Sequence, residues 1–257
     1  MRFASLGSGS RGNALLVDSG GVRVLLDCGF PATEVERRLQ RLGVEAGSID
    51  AIIVTHEHGD HLRGVGPLAR RHEIPVWMTE GTRSLAQARC GELPEVHAID
   101  SHCSRFCIGD LSIEPFPIPH DAREPCQFVF QKGGLRLGVV TDAGCITPHI
   151  EERIAACDAL VLEFNHDTEM LANGPYPASL QARVGGNLGH LNNEQSAALL
   201  RKLDCGRIRH LLLAHLSEKN NTPEQVTAAV ARSAETLLER AVVARQSEVA
   251  GWFDLEG

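Results

Sequence analysis

Aromatic side chains make up only 4% of this sequence, and no run of about 18 apolar residues occurs in it. The first shortage argues against extensive base stacking of the kind used by single-strand binding modules. The second argues against a helical membrane span. The start, "MRFASLGSGSRGNALLV", has no charged, apolar and small-residue leader and reads as strand, glycine-rich turn and strand, so a cytoplasmic location with no membrane contact is expected. There is no C-x-x-C, and the eight cysteines are scattered, which fits reduced thiols rather than a disulfide framework. Cys103 and Cys107 lie near His97 and His102, but their irregular spacing fits a structural cluster better than a zinc knuckle. Basic residues are outnumbered, giving a net charge of -8 and no broad basic face. Residues 176–219 are an exception, with six basic side chains against three acidic ones, compatible with a local polyanion site.

What is present is an ordinary globular composition over 257 residues, 43% hydrophobic and 23% charged. With no repeat, low-complexity tract or linker, one domain spanning 1–257 is expected. Periodicity predicts strands at "RFASLG", "NALLVDSG" and "VRVLLDCG", a helix over "ATEVERRLQRLG" and the strand "DAIIVTH". A helix over "LRGVGPLARRH", the strand "IPVWMT" and a helix over "GTRSLAQARC" follow. Three strand-like segments come next, "LSIEPFPIPH", "PCQFVFQKGG" and "LRLGVVTDAG". Helix "HIEERIAAC" then precedes strand "DALVLEFNH", and helix "NEQSAALLRKL" precedes "IRHLLLAHL". The last helix, "TPEQVTAAVARSAETLLER", has Thr222 as N-cap and Pro223 in its first turn. Interleaved strands and helices imply a layered α/β or α+β fold. Residues 164–195, rich in Asn, Gly and Pro, read as a functional loop or lid.

The densest chemistry is "THEHGDH", residues 55–61, directly after the apolar run "AIIV". Polar groups buried there cost several kcal/mol, on the order of 2–7 each, unless something satisfies them. Neutral imidazoles and carboxylates are preferred ligands of zinc and similar ions, and the crowding of His56, His58, Asp60 and His61 fits two ions better than one. Further donors stand at the ends of later apolar runs: His120 after "IEPFPIP", Asp142 after "LRLGVVT" and His215 after "IRHLLLA". Asp27, in "VRVLLDCG", is placed the same way. His72, His97, His102, His149 and His210 lack such context and read as surface or structural histidines.

This pattern resembles the metallo-β-lactamase-fold hydrolases over essentially the whole chain. The resemblance implies a four-layer αββα sandwich with metals at one rim of the sheets. It implies one ion held by His56, His58 and His120, the other by Asp60, His61 and His215, and Asp142 between them. Asp27 would orient the ligands, and a bridging water, deprotonated near neutral pH, would be the nucleophile. The metal is zinc, manganese or iron according to supply. Asp142 and the absent leader argue against a secreted lactamase, and His58 argues against the flavo-diiron oxidoreductases, which carry a glutamate there. "LGSGSRGNALLV", "PHDAREPCQFVF", "LEFNHDTEMLANGPYP", "VGGNLGHLNNEQSA" and "LAHLSEKNN" are similar to the YycJ/WalJ group, which implies a DNA exonuclease acting at 5′ ends. Cyclic nucleotide or RNA phosphodiesterases and a glyoxalase-like thioesterase share the metal set and stay open. A non-enzymatic scaffold would be expected to have lost ligands, and all seven are present.

Around the metals, the resemblance makes His190 in "GHLNN" the proton donor to the leaving oxygen or a phosphate contact. His166 in "EFNHD" would line the site, and Glu163 would orient an imidazole or serve a structural network. Ser8, Ser10 and Asn13 read as phosphate-positioning or supporting groups in a tight turn; Asn220 and Asn221 are similar. Arg183 is the best basic contact to a DNA backbone. Nothing in the sequence identifies protein partners, and a homo-oligomer is compatible with it.

Overall fold

The computed structural model describes residues 1–102 and 105–256. Cys103, half of the irregular cysteine pair, lies outside the described residues. Strands β1 (Arg2–Gly7), β2 (Ala14–Asp18), β3 (Arg23–Leu26), β4 (Ala51–Ile53), β5 (Val76–Thr79) and β6 (Val96–Ile99) come first. They are followed by β7 (Phe106–Ile108), β8 (Leu111–Pro117), β9 (Cys126–Lys132), β10 (Leu135–Val140), β11 (Ala159–Glu163), β12 (His210–Ala214), β13 (Ala241–Val243) and β14 (Ala250–Asp254). The helices are α1 (Ala32–Arg41), α2 (Gly59–Leu62), α3 (Val65–His72), α4 (Glu80–Cys90) and α5 (Pro148–Ile154). After them come α6 (Thr168–Asn173), α7 (Ala178–Val184), α8 (Asn193–Leu200) and α9 (Pro223–Ala234).

The strands form two seven-stranded sheets, ordered β14-β1-β2-β3-β4-β5-β6 and β13-β12-β11-β10-β9-β8-β7. Each sheet has an antiparallel part and a parallel part, so β3, β4 and β5 run together in one and β10, β11 and β12 in the other. Strand alternation sends one set of side chains between the sheets, among them Phe3, Val24, Ile53, Phe128, Phe130, Val139 and Val161. The opposite set meets helices. Leu16, Leu25 and Ile52 pack against Val35 and Leu39 of α1 and Leu68 of α3. Leu160, Leu162 and Leu211 pack against Ile150 of α5, Leu199 of α8 and Val230 of α9. Three apolar layers between four layers of secondary structure make the αββα sandwich. Phe128 has no exposure in the inter-sheet layer, so Phe128→Ala is expected to cost about 3–5 kcal/mol. Denaturant unfolding would read it as a lower midpoint with unchanged slope.

Several elements differ from the sequence reading. The helix expected over 62–72 is two helices, α2 and α3, because Gly64 presses against the Cys28–Phe30 segment. Its N–H donates to Cys28 O, and a Cβ there would stand 2.1 Å from Phe30 O. The strand expected through His56 stops at Ile53, since Thr55 N–H turns to the carboxylate of Asp27. Residues 164–195 are no open loop: they hold α6, capped by Asp167, and α7, preceded by Pro177. The last helix ends at Ala234 and continues as a 3-10 turn. Short strands β6, β7, β13 and β14 had not been anticipated.

Candidate metal centre

The parallel strands β3, β4, β10, β11 and β12 deliver their carboxyl ends to one rim, where ligands bind in sheets of this kind. Three of the strands end in an unusual way. Asp27 after β3, Asp142 after β10 and His215 after β12 have φ of 61°, 59° and 56°. Such a left-handed conformation costs a non-glycine residue about 1–3 kcal/mol and persists only where its surroundings enforce it. Each bend stops the strand and leaves the side chain at the rim rather than on a sheet face.

The result brings all seven expected donors together. His56, His58 and His120 offer nitrogens within 4.8 Å of one another, and so do ligand atoms of Asp60, His61 and His215. Asp142 joins both neighbourhoods, grouping with His56 and His61 and also with Glu163, His190 and His215. Asp142 Oδ2 and His61 Nε2 are 3.4 Å apart, as are Asp142 Oδ1 and His215 Nε2.

The chemistry of this set fits divalent ions. His56 Nε2 and Asp142 Oδ2 are fully buried with no hydrogen-bond partner among the described residues, an arrangement that costs free energy unless a cation satisfies both. Burial, reinforced by His61, holds His56 well below the ordinary imidazole value, so it is a neutral donor. At His61 burial opposes protonation, but Asp142, Asp60 and Asp27 outweigh it and raise the ring well above its usual value. At His215 the same contest, with Asp142, Asp60 and Glu163, ends at about 10. Without metal both rings therefore carry protons at neutral pH, and metal must displace them. Zinc titrated into metal-free protein is expected to release about two protons per chain and to bind more tightly as pH rises from 6 to 8. Calorimetry in buffers of different ionisation enthalpy would measure this; heats independent of buffer would contradict it.

Carboxylates and carbonyls behind the donors fix the rings. His61 Nδ1 donates to Asp27 Oδ2 at 2.7 Å, and Asp27 also accepts from the Thr55 N–H and hydroxyl. His120 Nδ1 donates to Gly189 O at 3.1 Å. Glu163, fully buried at the end of β11, accepts from Nδ1 of both His215 and His190 at 2.9 Å through Oε1. Its Oε2 accepts from the N–H groups of Ala143 and Leu191. Burial opposes its charge, but His190 and His215 prevail and hold it at about 2. Each such bond on Nδ1 leaves Nε2 as the free ring nitrogen.

Four of the donors, His58, Asp60, Asp142 and His215, line an open cleft of about 430 Å³, together with Ser10, Arg89, Asp121, Tyr176, Arg183 and His190. Arg183 is at the rim, its Nε donating to Asp121. Asn13 faces inward: its Nδ2 is 3.3 Å from Asp60 Oδ2 and 3.2 Å from His61 Nε2, and Ser8 donates to its Oδ1. It supports donors and is absent from the cleft wall. His166 is buried behind the cleft, outside every donor group, and burial lowers it to about 4. Asn220 and Asn221 bond to neighbouring loops, Asn220 O accepting from Asp167 N–H and Asn221 Nδ2 donating to Phe164 O. The sequence reading missed Asp121, Arg89 and Tyr176. Asp121 adjoins His120 in "PHD", a clue that was available; Arg89 comes from α4 and Tyr176 from the α6–α7 link.

Residues 22–216 match the family described as Beta-lactamase superfamily domain. The chain belongs to the beta-lactamase superfamily. Within it, the chain is 34% identical to the exodeoxyribonuclease YycJ of Bacillus anthracis over 236 residues, 91% of this chain and 89% of that one. It is 32% identical to the exodeoxyribonuclease WalJ of Streptococcus pneumoniae over 227 residues, 87% and 84% of the two chains. The solved metallo-beta-lactamase fold protein YhfI from Bacillus subtilis superposes with a TM-score of 0.75 at 17% identity, covering 96% of this chain and 97% of that one. This superfamily member is a metal-binding hydrolase. Among the described residues, no helix is long and apolar enough to cross a membrane.

Proposed function

We propose that this hydrolase is a DNA exonuclease that removes nucleotides from 5′ ends in the cytoplasm. The observation that carries the reading is the pairing of the donor cluster with His190. His190 lines the same cleft as Asp60, Asp142 and His215, and Glu163 ties its Nδ1. The two relatives named exodeoxyribonuclease, similar over nearly the whole chain, support DNA as the substrate.

In this reading His56, His58 and His120 hold one divalent ion, zinc, manganese or iron. Asp60, His61 and His215 hold the other, and Asp142 serves both. Ions bound there supply Lewis acidity to the phosphate oxygens and lower the pKa of water. The chain's own residues do the rest. Asp27 and Glu163 keep His61 and His215 oriented, while Asn13 steadies Asp60. Glu163 accepts a hydrogen bond from His190 Nδ1–H, so that a doubly protonated His190 ring would present its Nε2–H to the cleft for donation to the departing sugar oxygen. Arg183 and Arg89 supply positive charge for the flanking phosphates, and Ser10 a hydroxyl at the mouth of the cleft.

His190→Ala is expected to lower turnover at least about tenfold with metal content unchanged, since His190 lies outside both sets of three ligands. Wild-type turnover in the variant would remove His190 from the reaction. The substrate class is tested with a panel at equal concentration: 5′-phosphorylated duplex DNA, the corresponding RNA, a 3′,5′-cyclic nucleotide and a glutathione thioester. DNA is expected to be consumed fastest, and preference for any other member would overturn the DNA reading.

A further inference from the structure

One wall of the cleft has no structural task that accounts for it. Helix α7 buries none of its residues, and a seven-residue helix is marginal without such packing. Its half-buried apolar side chains, Leu180 and Val184, line the cleft together with Tyr176 and belong to none of the three apolar layers. Tyr176 is the only tyrosine in the chain. Among the described residues its ring has no aromatic partner and its hydroxyl no hydrogen bond, so no polar network explains it.

The wall is nevertheless held firmly. Tyr176 stands between Pro175 and Pro177, and a residue preceding proline is restricted to extended backbone. After α7 the chain is pinned to the metal floor. His190 N–H donates to Val184 O at 2.9 Å, and Asp121 N–H to Leu188 O at 3.0 Å. Gly144, just after Asp142, lies so close to this turn that a Cβ would stand 2.3 Å from Asn187 O. Tyr176 thus lines the same cleft as His58, Asp60, Asp142 and His215, together with Arg89 and Arg183.

Resting on the nuclease reading above, we infer that Tyr176 is the stacking surface for the base of the terminal nucleotide, backed by Leu180 and Val184, and so determines preference for a base-bearing end. The charge pattern favours this occupant. An apolar surface with Arg89 and the Asp121-paired Arg183 at its edge, beside a cluster of phosphate-activating donors, matches a nucleotide, apolar at the base and anionic at the phosphate. One such surface suits one base, as the scarcity of aromatics requires. Base stacking on an aromatic side chain is typically worth about 5- to 150-fold in affinity.

The single tyrosine makes the test direct. Full-length zinc-loaded protein carrying 3-fluorotyrosine should give one fluorine resonance from this side chain. It is titrated with a 5′-phosphorylated DNA whose first linkages are phosphorothioates, and with the same DNA lacking only its 5′-terminal base. Affinities for both are measured by anisotropy with wild type, Tyr176→Ala and Tyr176→Phe. The inference expects the resonance to shift with the base-bearing end and not with the abasic one. It also expects wild type to bind the abasic end about tenfold more weakly, Tyr176→Ala to bind both ends alike, and Tyr176→Phe to recover the discrimination. Tyr176 belongs to no core layer, so the alanine variant should fold. Tight binding with no discrimination, or saturation without a fluorine shift, overturns the inference and leaves the nuclease reading standing. No binding of either DNA overturns both.

Discussion

Asp142→Asn is expected to drop the metal content from two ions to one or fewer and kcat/KM by about 1000-fold or more, ~4 kcal/mol of lost transition-state stabilisation. Asparagine suits the test because it tolerates the left-handed backbone that Asp142 adopts at φ 59°, whereas alanine would add strain to the loss of charge. Burial opposes the charge of Asp142, yet His215 and His61 hold its carboxyl well below the usual range. The amide keeps the volume and removes an anionic group that faces both sets of histidines. Metal analysis after gel filtration, paired with kinetics, checks the result. A variant holding two ions with activity near wild type would show that Asp142 is not the shared ligand.

The second large effect is expected at Glu163. Glu163→Gln should lower kcat/KM by up to about 100-fold, exceeding His190→Ala, because one carboxylate oxygen serves the imidazoles of His190 and His215 together. The two variants should differ in kind as well as size. Loosening His215 weakens one metal set, so Glu163→Gln should lose zinc to a chelator faster than wild type while His190→Ala does not. Equal chelator resistance in both variants would confine Glu163 to the proton donor. A Glu163→Gln enzyme with unchanged kinetics would reduce it to a structural residue.

Much of the rim was legible in the sequence because metal donors are chemically distinctive and strand ends are where they must stand. His56, His58, Asp60 and His61 crowd one turn, and His120, Asp142 and His215 each close an apolar run, so residue type and periodicity alone located them. The backbone device that turns Asp27, Asp142 and His215 toward the rim was not legible, since aspartate and histidine at a strand end are ordinary in any turn. Glu163 was half legible: it ends an apolar run, but only the packed sheets show that one oxygen reaches two rings. Asn13 read as a phosphate-positioning or supporting group because a polar side chain in a glycine-rich turn suits either, and only the packed fold shows its amide beside Asp60 and His61. Helices α6 and α7 were hidden by their Asn, Gly and Pro content, although Asp167 and Pro177 marked their starts. Edge strands such as β13 and β14 were too short to carry a period. Arg89, Asp121 and Tyr176 meet only because α4, the turn after His120 and the α6–α7 link converge on one cleft.

The most direct test is the fate of a 5′-end-labelled duplex carrying a 5′-phosphate, incubated with zinc- or manganese-loaded enzyme and with Asp60→Ala. The account predicts release of labelled mononucleotide from the 5′ end by the wild type and none by the variant. An intact duplex, from protein shown to hold two ions, would contradict it.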